Sequence, residues 1–491
     1  MIARKYKHSL YIDSEWVAAS QREAVINPAN ESLLAEAPVG SPAHVEAAIA
    51  AARQAFDKGP WPRMPVRERQ AKLTQFLDAL DRRAEEIIQL IVDEAGATAM
   101  MARFVHYGMP MKVARHTVEI ASRPAITPLP VEVTPNAVGK LTLGGAVMSR
   151  EPVGVVTAIT PYNFPFFLNI SKIIPAMAVG CTVILKPSPL TPFQALILGE
   201  IAEEVGLPKG VLNVVTGDVE VGEQLTSDKR VDLISFTGSD AVGARIQAQA
   251  APTLKRVLLE LGGKSALIVR ADADVMQAAM VGISVFTVHS GQGCSLLTRQ
   301  LVHNSIRKPY VEAVKKILGQ LKVGDPNDPA VTMGPLIRAA ARERTERYVE
   351  IGKAQGGTLV TGGARPPGLD KGFYYQPTLF DNVNNKSRLA QEEVFGPVAA
   401  VIGFDSDEEA IEIANDSEFG LSGGIFSADV GRAYEMALQL RTGGVTINGG
   451  SGGVLDAAPF GGIKRSGYGR EFGLEGLNEF TYIKTIAYKG G

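Results

Sequence analysis

Apolar side chains at Leu73, Phe76, Leu77, Leu80, Ala84, Ile87, Ile88, Ile91 and Val92 recur three and four positions apart, which predicts one long amphipathic helix over residues 66 to 95. From about residue 150 the pattern shortens to β-branched runs, VVTAIT, TVILKPS, LNVVTG, LISFTG and SALIVR, separated by segments of helical composition. Apolar runs alternating with helices are what a parallel sheet covered on both faces requires. A second alternation from about 298 to 450 contains RQLVH, the helical RKPYVEAVKKILGQL, PVAAVIGF, GGIFS and GGVTIN. The expected fold class is therefore α/β, with two such units. Residues 127 to 152, rich in Pro, Thr and Val, suit an extended hairpin better than a core element. A protruding strand pair has to be covered by something, so its expected role is association.

Composition narrows the partners. A chain of 491 residues is too long for one hydrophobic core, and domain sizes suggest about two to four domains. Fifty basic against 52 acidic residues give no electrostatic reason to expect nucleic acid or an anionic membrane surface, so a small-molecule partner is expected. Two cysteines, Cys181 and Cys294, make neither a disulfide framework nor a thiolate metal site, and the six histidines show no ligand spacing. No metal is expected. The reducing cytoplasm is the expected compartment, since neither an export signal nor an uncharged apolar run of spanning length is read from the chain.

Candidate chemistry lies in short segments. GGKS (Gly262 to Ser265) resembles the end of a P-loop, but Leu258 stands where that motif needs glycine, and no GxGxxG follows a strand. In FTGSDAVG, Gly238 and Ser239 stand at an expected helix start, which suits either a pyrophosphate or an ordinary turn. Lys186 in VILKPSPLTP falls at the end of an apolar strand, where a solvated strand end and a ligand contact are both open readings. In TPYNFPF, Asn163 is flanked by prolines and aromatics, so its amide either satisfies its own turn or is a fixed donor to an oxyanion. Glu260 in LLELGGKS is expected to be at least partly desolvated, hence usable as a base near neutral pH, with a salt-bridged strand end as the alternative. Cys294 in HSGQGCSLLTRQ has small and polar neighbours. Gly291 and Gly293 there would let the backbone approach a ligand and free N–H groups that favour a thiolate, with a buried inert thiol as the alternative, which fits Cys181 better.

Taken in order, TPYNFPF, LKPS, FTGS, LELGGK, GQGC, EEVFGPV and PFGGIKRSGYGRE resemble the NAD(P)-dependent aldehyde dehydrogenase superfamily over essentially the whole chain. The resemblance implies a variant Rossmann cofactor domain (1–126 and 153–259), a second α/β catalytic domain (260–456) and a small β oligomerisation arm (127–152 and 476–491). A segment at 457–475 would connect them near the active site. It implies Cys294 as nucleophile, Asn163 and the Cys294 backbone N–H as oxyanion donors, and Glu260 as general base. Lys186 and Glu393 would hold the two riboses, Gly238 and Ser239 the pyrophosphate, and Phe395 the nicotinamide ribose. Thr160, Pro161, Tyr162 and Ser188 fall at further cofactor positions, Lys172 and Glu471 at proton-relay positions. Phe164, Phe167, Leu168, Ser171, Val288 and Phe460 match the substrate tunnel. The implied partners are an aldehyde, favouring an uncharged aromatic or aliphatic one, and a second copy of the chain in a homodimer or homotetramer. The implied cofactor is NAD.

Two positions depart from many relatives. Pro189 replaces a glutamate that bonds the adenosine ribose and repels a 2′-phosphate, so NADP becomes admissible. Ser171 replaces a bulky aromatic, which predicts a roomier tunnel entrance. Arg299, five residues after Cys294, belongs to the common family pattern and does not argue for an anionic substrate. A CoA-acylating enzyme, a cysteine hydrolase and a catalytically silent binding protein are the rival readings. The first typically lacks the glutamate at position 260, the second needs a histidine paired with Cys294, and the third would be expected to lose one of Cys294, Asn163 and Glu260.

Overall fold

The computed structural model describes residues 7–123, 125–135, 137–450 and 455–489. Residues 1–6 and 124 of the expected cofactor domain, 451–454 of the catalytic domain, and 136 and 490–491 of the arm lie outside the described residues.

Five strands of the first sheet, Leu212–Val214, Thr182–Lys186, Val155–Ile159, Leu233–Thr237 and Arg256–Glu260, run parallel in that spatial order. All five are almost wholly buried because helices cover both faces. One face packs against helices Val66–Arg82, Ala84–Ala95, Pro165–Val179 and Phe193–Glu204, and the other against Pro42–Asp57, Val219–Ser227 and Asp240–Ala250. The register aligns Ile159 with Lys186 and with Phe236, and Thr237 with Glu260. Thr160, Lys186, Gly238 and Glu260 therefore gather at one carboxyl edge, where open α/β sheets bind ligands.

The single helix expected over 66 to 95 is two, Val66–Arg82 and Ala84–Ala95. Arg83 leaves helical geometry (φ −107°, ψ 16°), and its guanidinium reaches Glu86 at 2.8 Å and Glu200 of a neighbouring helix at 2.7 Å. The apolar periodicity persists across this break, which is why the pattern did not show it.

A second sheet is built from Thr378–Asp381, Val398–Phe404, Arg299–His303, Ala266–Val269, Ser422–Phe426 and Gly444–Ile447 in parallel, with Thr358–Thr361 antiparallel at one edge. The run SALIVR, grouped by pattern with the first sheet, belongs here: after Glu260 the chain crosses between sheets, and both environments are equally apolar. A third sheet pairs the long strand Leu141–Pro152 with Ile126–Pro128 and Glu132–Pro135, and, in register from Thr481 with Pro152 to Lys489 with Gly144, with Thr481–Lys489. The hairpin expected at 127–152 is thus completed by a strand more than three hundred positions later.

The segment Phe460–Glu471 returns to the first sheet. Its strand Gly467–Tyr468 adds antiparallel beside Leu259 and Glu260. Gly467 (φ 102°) is required there, because a Cβ would lie 2.0 Å from the Leu259 carbonyl oxygen. Among the described residues no helix is long and apolar enough to cross a membrane.

Candidate active site

Three loops converge on Cys294. The first leaves helix Val275–Thr287 through three successive left-handed residues, His289 (φ 47°), Ser290 (φ 56°) and Gly291 (φ 75°). Ser290 Oγ donates to the Gly334 carbonyl at 2.6 Å, and Ile337 N–H donates to Gln292 Oε1 at 2.9 Å, which ties this strained turn down. The second is Leu261 to Ser265, where a Cβ on Gly263 would lie 2.4 Å from the Cys294 carbonyl. The third is Glu393 to Gly396, against which Gly291 presses so closely that a Cβ would meet Gly396 at 2.2 Å. Two of these glycines therefore serve close backbone packing.

Asn163 precedes helix Pro165–Val179, and its Nδ2 donates to the Gln292 carbonyl at 2.9 Å, so the amide is fixed to the cysteine loop rather than to its own turn. Its Oδ1 is buried without a partner. Cys294 is only partly exposed, and burial around its sulfur, followed by the carboxylates of Glu393 and Glu260, pushes its pKa up to about 12 rather than favouring a thiolate.

Glu260 ends its strand with both carboxyl oxygens buried and unpartnered. Burial, followed by the carboxylate of Glu471, holds its pKa well above the usual range, while Lys172 and Arg470 oppose that shift. It is therefore not the salt-bridged strand end offered as the alternative. Glu471 itself accepts from Lys172 Nζ at 2.6 Å, and Lys172 also donates to Ser235 Oγ at 3.1 Å. These two residues are 299 positions apart and only 1% and 6% exposed.

The cofactor candidates fall into two groups. Lys186 and Ser188 stand at the sheet edge. Lys186 is buried rather than solvated, its pKa is drawn down to about 8 by burial against the pull of Asp218 and Glu23, and its amine donates to the Pro187 carbonyl at 3.3 Å. Ser188 accepts from Leu190 N–H, and Thr160 donates to Asn169 at 2.7 Å, so both hold the edge loops. Ser239 caps helix Asp240–Ala250, and the Gly238 N–H donates to the Glu260 carbonyl. A cavity of about 210 Å³ between helices Val219–Ser227 and Asp240–Ala250 is lined by Ile159, Lys186, Asp218, Phe236 and Arg245. The second group is Glu393, Phe395 and Tyr162, beside Pro161. Glu393 accepts from Gly263 N–H at 3.0 Å and has its pKa pushed to about 7 by burial. Phe395 (φ 58°) meets the Tyr162 ring edge-on at 6.1 Å. Arg344, missed from sequence, donates to the Val394 carbonyl at 3.0 Å and to the Glu393 carbonyl, holding this turn. A buried amine at one end, a partly buried carboxylate at the other and a cleft along the strand edge fit a ribose-bearing dinucleotide.

On the opposite side, Phe164, Phe167, Leu168 and Phe460 form one apolar cluster with Val113, Met109 and Phe472. The last three were not anticipated. Met109 and Val113 lie one helical turn apart on a helix whose contacts depend on the fold, and Phe472 directly follows Glu471. Val288 ends its helix partly buried and is not part of the cluster. Ser171 is buried with its hydroxyl on the Phe167 carbonyl at 2.8 Å, and it lines a small cavity behind Phe472 with Val113 and Ile174. The space it frees thus lies behind Phe472, because that ring packs edge-on against Phe167 at 5.7 Å. A larger cavity of about 430 Å³ opens between Phe460, Phe472 and Leu455. Arg299 is buried and donates to main-chain carbonyls of Lys264, Ile413 and Ala414, which makes it a scaffold residue.

His289 faces neither Cys294 nor a carboxylate. Its ring meets His106 edge-on at 4.9 Å, His106 stacks on Phe164 at 4.5 Å, and all four ring nitrogens are buried without hydrogen bonds. Burial lowers the pKa of His289 to about 4 and that of His106 well below the usual imidazole range. His106 comes from a π-helical turn, Ala102–Gly108, that no periodicity in the sequence marks.

Comparison with known proteins gives the same outline. The family model described as "Aldehyde dehydrogenase family" matches residues 16–486. A 3-succinoylsemialdehyde-pyridine dehydrogenase from Pseudomonas sp. is 40% identical, covering 99% of this chain and all (100%) of that protein. A Mycobacterium tuberculosis aldehyde dehydrogenase complexed with NAD+ is 41% identical with a TM-score of 0.91, covering 98% of this chain and 97% of that one. Betaine aldehyde dehydrogenase from Staphylococcus aureus, in complex with NAD+, is 36% identical with a TM-score of 0.93, covering 98% and 95%.

Proposed function

This chain belongs to the aldehyde dehydrogenase family and is an NAD-dependent enzyme of that class; we propose that it oxidises an uncharged aromatic or aliphatic aldehyde to the carboxylate through a covalent adduct on Cys294. The observation that carries this reading is one juxtaposition. The Asn163 amide is bound to the loop two residues before Cys294, and Glu260, buried and without a hydrogen-bond partner, is close enough to perturb the thiol.

Cys294 releases its proton to solvent water and its thiolate sulfur attacks the aldehyde carbon, forming the C–S bond as the C=O pair moves onto oxygen. The second N–H of the Asn163 amide and the Cys294 backbone N–H receive that oxyanion; such donors are each worth roughly 3–4 kcal/mol in comparable sites. Lys186 and Glu393 would hold the two riboses of the cofactor and Gly238 and Ser239 its pyrophosphate, with Phe395, Tyr162, Thr160, Pro161 and Ser188 shaping the walls. When bound, the nicotinamide supplies the hydride acceptor that turns the adduct into a thioester. Glu260 then takes a proton from water as the hydroxide adds to the thioester carbon, and the C–S bond breaks to release the carboxylate. Lys172 and Glu471, which act on Glu260 through their charges and make no direct hydrogen bond to it, would take the proton onward.

The side chains of Phe164, Phe167, Leu168, Phe460 and Phe472, packed into one apolar cluster, support an uncharged substrate. A cysteine hydrolase is disfavoured because His289 turns to His106 and Phe164. The arm, 127–152 with 476–491, leaves Val133, Leu141, Leu143, Ile483 and Ile486 exposed; this supports a homodimer or homotetramer joined through it. A site that depends on a free thiol suits the cytoplasm. The test is an aldehyde panel with NAD, followed by absorbance of the reduced cofactor, for the wild type and Cys294→Ala. Reduction only in the wild type is expected. No reduction with any aldehyde, or full activity of the variant, would overturn the proposal.

A further inference from the structure

Pro189 removes a carboxylate from the position that would repel a 2′-phosphate, yet the cavity around Lys186 is not left without negative charge. The Lys186 stem passes over Gly222, where a Cβ would sit 3.7 Å from Cε, and so delivers its amine toward the amino end of helix Val219–Ser227. Asp218 occupies the cap position of that helix and lines the cavity, but its carboxylate makes no cap hydrogen bond. It is free to accept from a ligand.

The other charges at this end are accounted for. Asp218 and Glu23 both act on the Lys186 amine. Arg245 also lines the cavity and could welcome a phosphate, but it is paired with Glu223. Asp218 thus shares the cavity with the buried Lys186 amine, while Arg245 is already paired.

We infer that Asp218 makes the adenosine-ribose end of the cofactor site selective for NAD over NADP in place of the glutamate missing at Pro189. The inference rests on the reading of Lys186 as a ribose holder. A carboxylate at this edge accepts hydrogen bonds from the 2′- and 3′-hydroxyls and repels a phosphate on the 2′-oxygen, the rule that holds for dinucleotide sites on parallel sheets. A 2′-phosphate carries about −1.5 to −2 charges at neutral pH, as other phosphate monoesters do. Against one carboxylate a few ångströms away, in a partly solvated cleft, that repulsion amounts to about a tenfold loss of affinity. Because the charge is exposed, the penalty shrinks as salt rises.

The experiment is calorimetric titration of the full chain with NAD+ and with NADP+, which needs no turnover. The wild type is expected to bind NADP+ at least about tenfold more weakly than NAD+, with the gap narrowing at high salt. Asp218→Asn is expected to tighten NADP+ about tenfold while NAD+ changes less than about threefold, and Glu223→Gln, which frees Arg245, is expected to tighten NADP+ as well. Equal binding of the two cofactors by the wild type, or an unchanged ratio in Asp218→Asn, would overturn the inference. Lys186→Met separates the two levels. If it leaves NAD+ binding intact, the reading of Lys186 itself fails; if it weakens NAD+ while Asp218→Asn leaves the ratio unchanged, only the role of Asp218 fails.

Discussion

Lys172→Met tests whether the buried ion pair behind Glu260 is structural, functional or both. Methionine keeps the length and flexibility of the lysine stem but removes the charge that meets Glu471 at 2.6 Å, where the two side chains are 1% and 6% exposed. Removing one partner of a buried pair leaves the other uncompensated and typically costs 3–5 kcal/mol. Unfolding entropy is about 2.1 cal/mol/K per residue, so a chain of 491 residues loses about 1 °C per kcal/mol when it unfolds as one unit. The expected drop in Tm is thus about 3–5 °C. The double variant Lys172→Met with Glu471→Gln removes both charges and should recover most of it. A second effect separates function from packing. Without the ammonium, which opposes the raised pKa of Glu260, that carboxyl stays protonated to still higher pH. Rapid-mixing kinetics should then show an intact burst of reduced cofactor followed by slower turnover, with the alkaline shift of the turnover profile absent from any variant that is merely unstable. A single variant as stable as the wild type, or a double variant less stable than the single, would refute the reasoning.

Asn163→Ala should lower kcat/KM about 10²- to 10³-fold with little change in Tm, since the amide is assigned to the oxyanion and makes only one hydrogen bond in the protein. Because the Glu260 pKa is raised, the base form appears only as pH rises through that value; thioester hydrolysis should accelerate with pH in the wild type, and Glu260→Gln should keep the burst while losing this limb. Glu94 is buried, its pKa lifted to about 8 by desolvation although Phe193 N–H donates to it. The folded state therefore holds a proton that the unfolded state releases near pH 4.5, and stability falls as pH rises from there to about 8. Glu94→Gln should flatten that decline and raise Tm by about 3 °C at pH 8.5, measured by scanning calorimetry. Ile483→Asp, on the exposed face of the arm, should dissociate the proposed homodimer or homotetramer in sedimentation velocity.

The places of several proposed site residues were legible because they sit at backbone punctuation, while their roles came only from the family resemblance. Lys186 and Glu260 end buried strands, Ser239 opens a helix, and Cys294 follows a glycine-bearing turn; strand ends and caps are local features that short segments encode. Asp218 was overlooked because a lone aspartate before a helix is ordinary capping chemistry, and only its place beside Lys186 changes its meaning. Arg344 and His106 carried no signal. One grips main-chain carbonyls of a distant loop, and the other is distinguished by what surrounds it rather than by spacing. The break at Arg83 escaped detection because apolar periodicity reports which face is buried, not whether the axis turns.

By itself the sequence determined the two α/β units, the order of their strands along the chain and the chemical types available for catalysis, since period and turn residues act over a few positions. Which of those groups meet was decided by the tertiary structure, and in the sequence only the family resemblance implied any of these meetings. Lys172 and Glu471 become an ion pair, the strand Thr481–Lys489 completes a sheet begun at Ile126, and Gly467 seals the edge beside Glu260. The reason is physical. Desolvation and charge coupling, which set the pKa of Glu260 and Cys294, depend on neighbours brought within a few ångströms by packing, and distance along the chain carries no information about them.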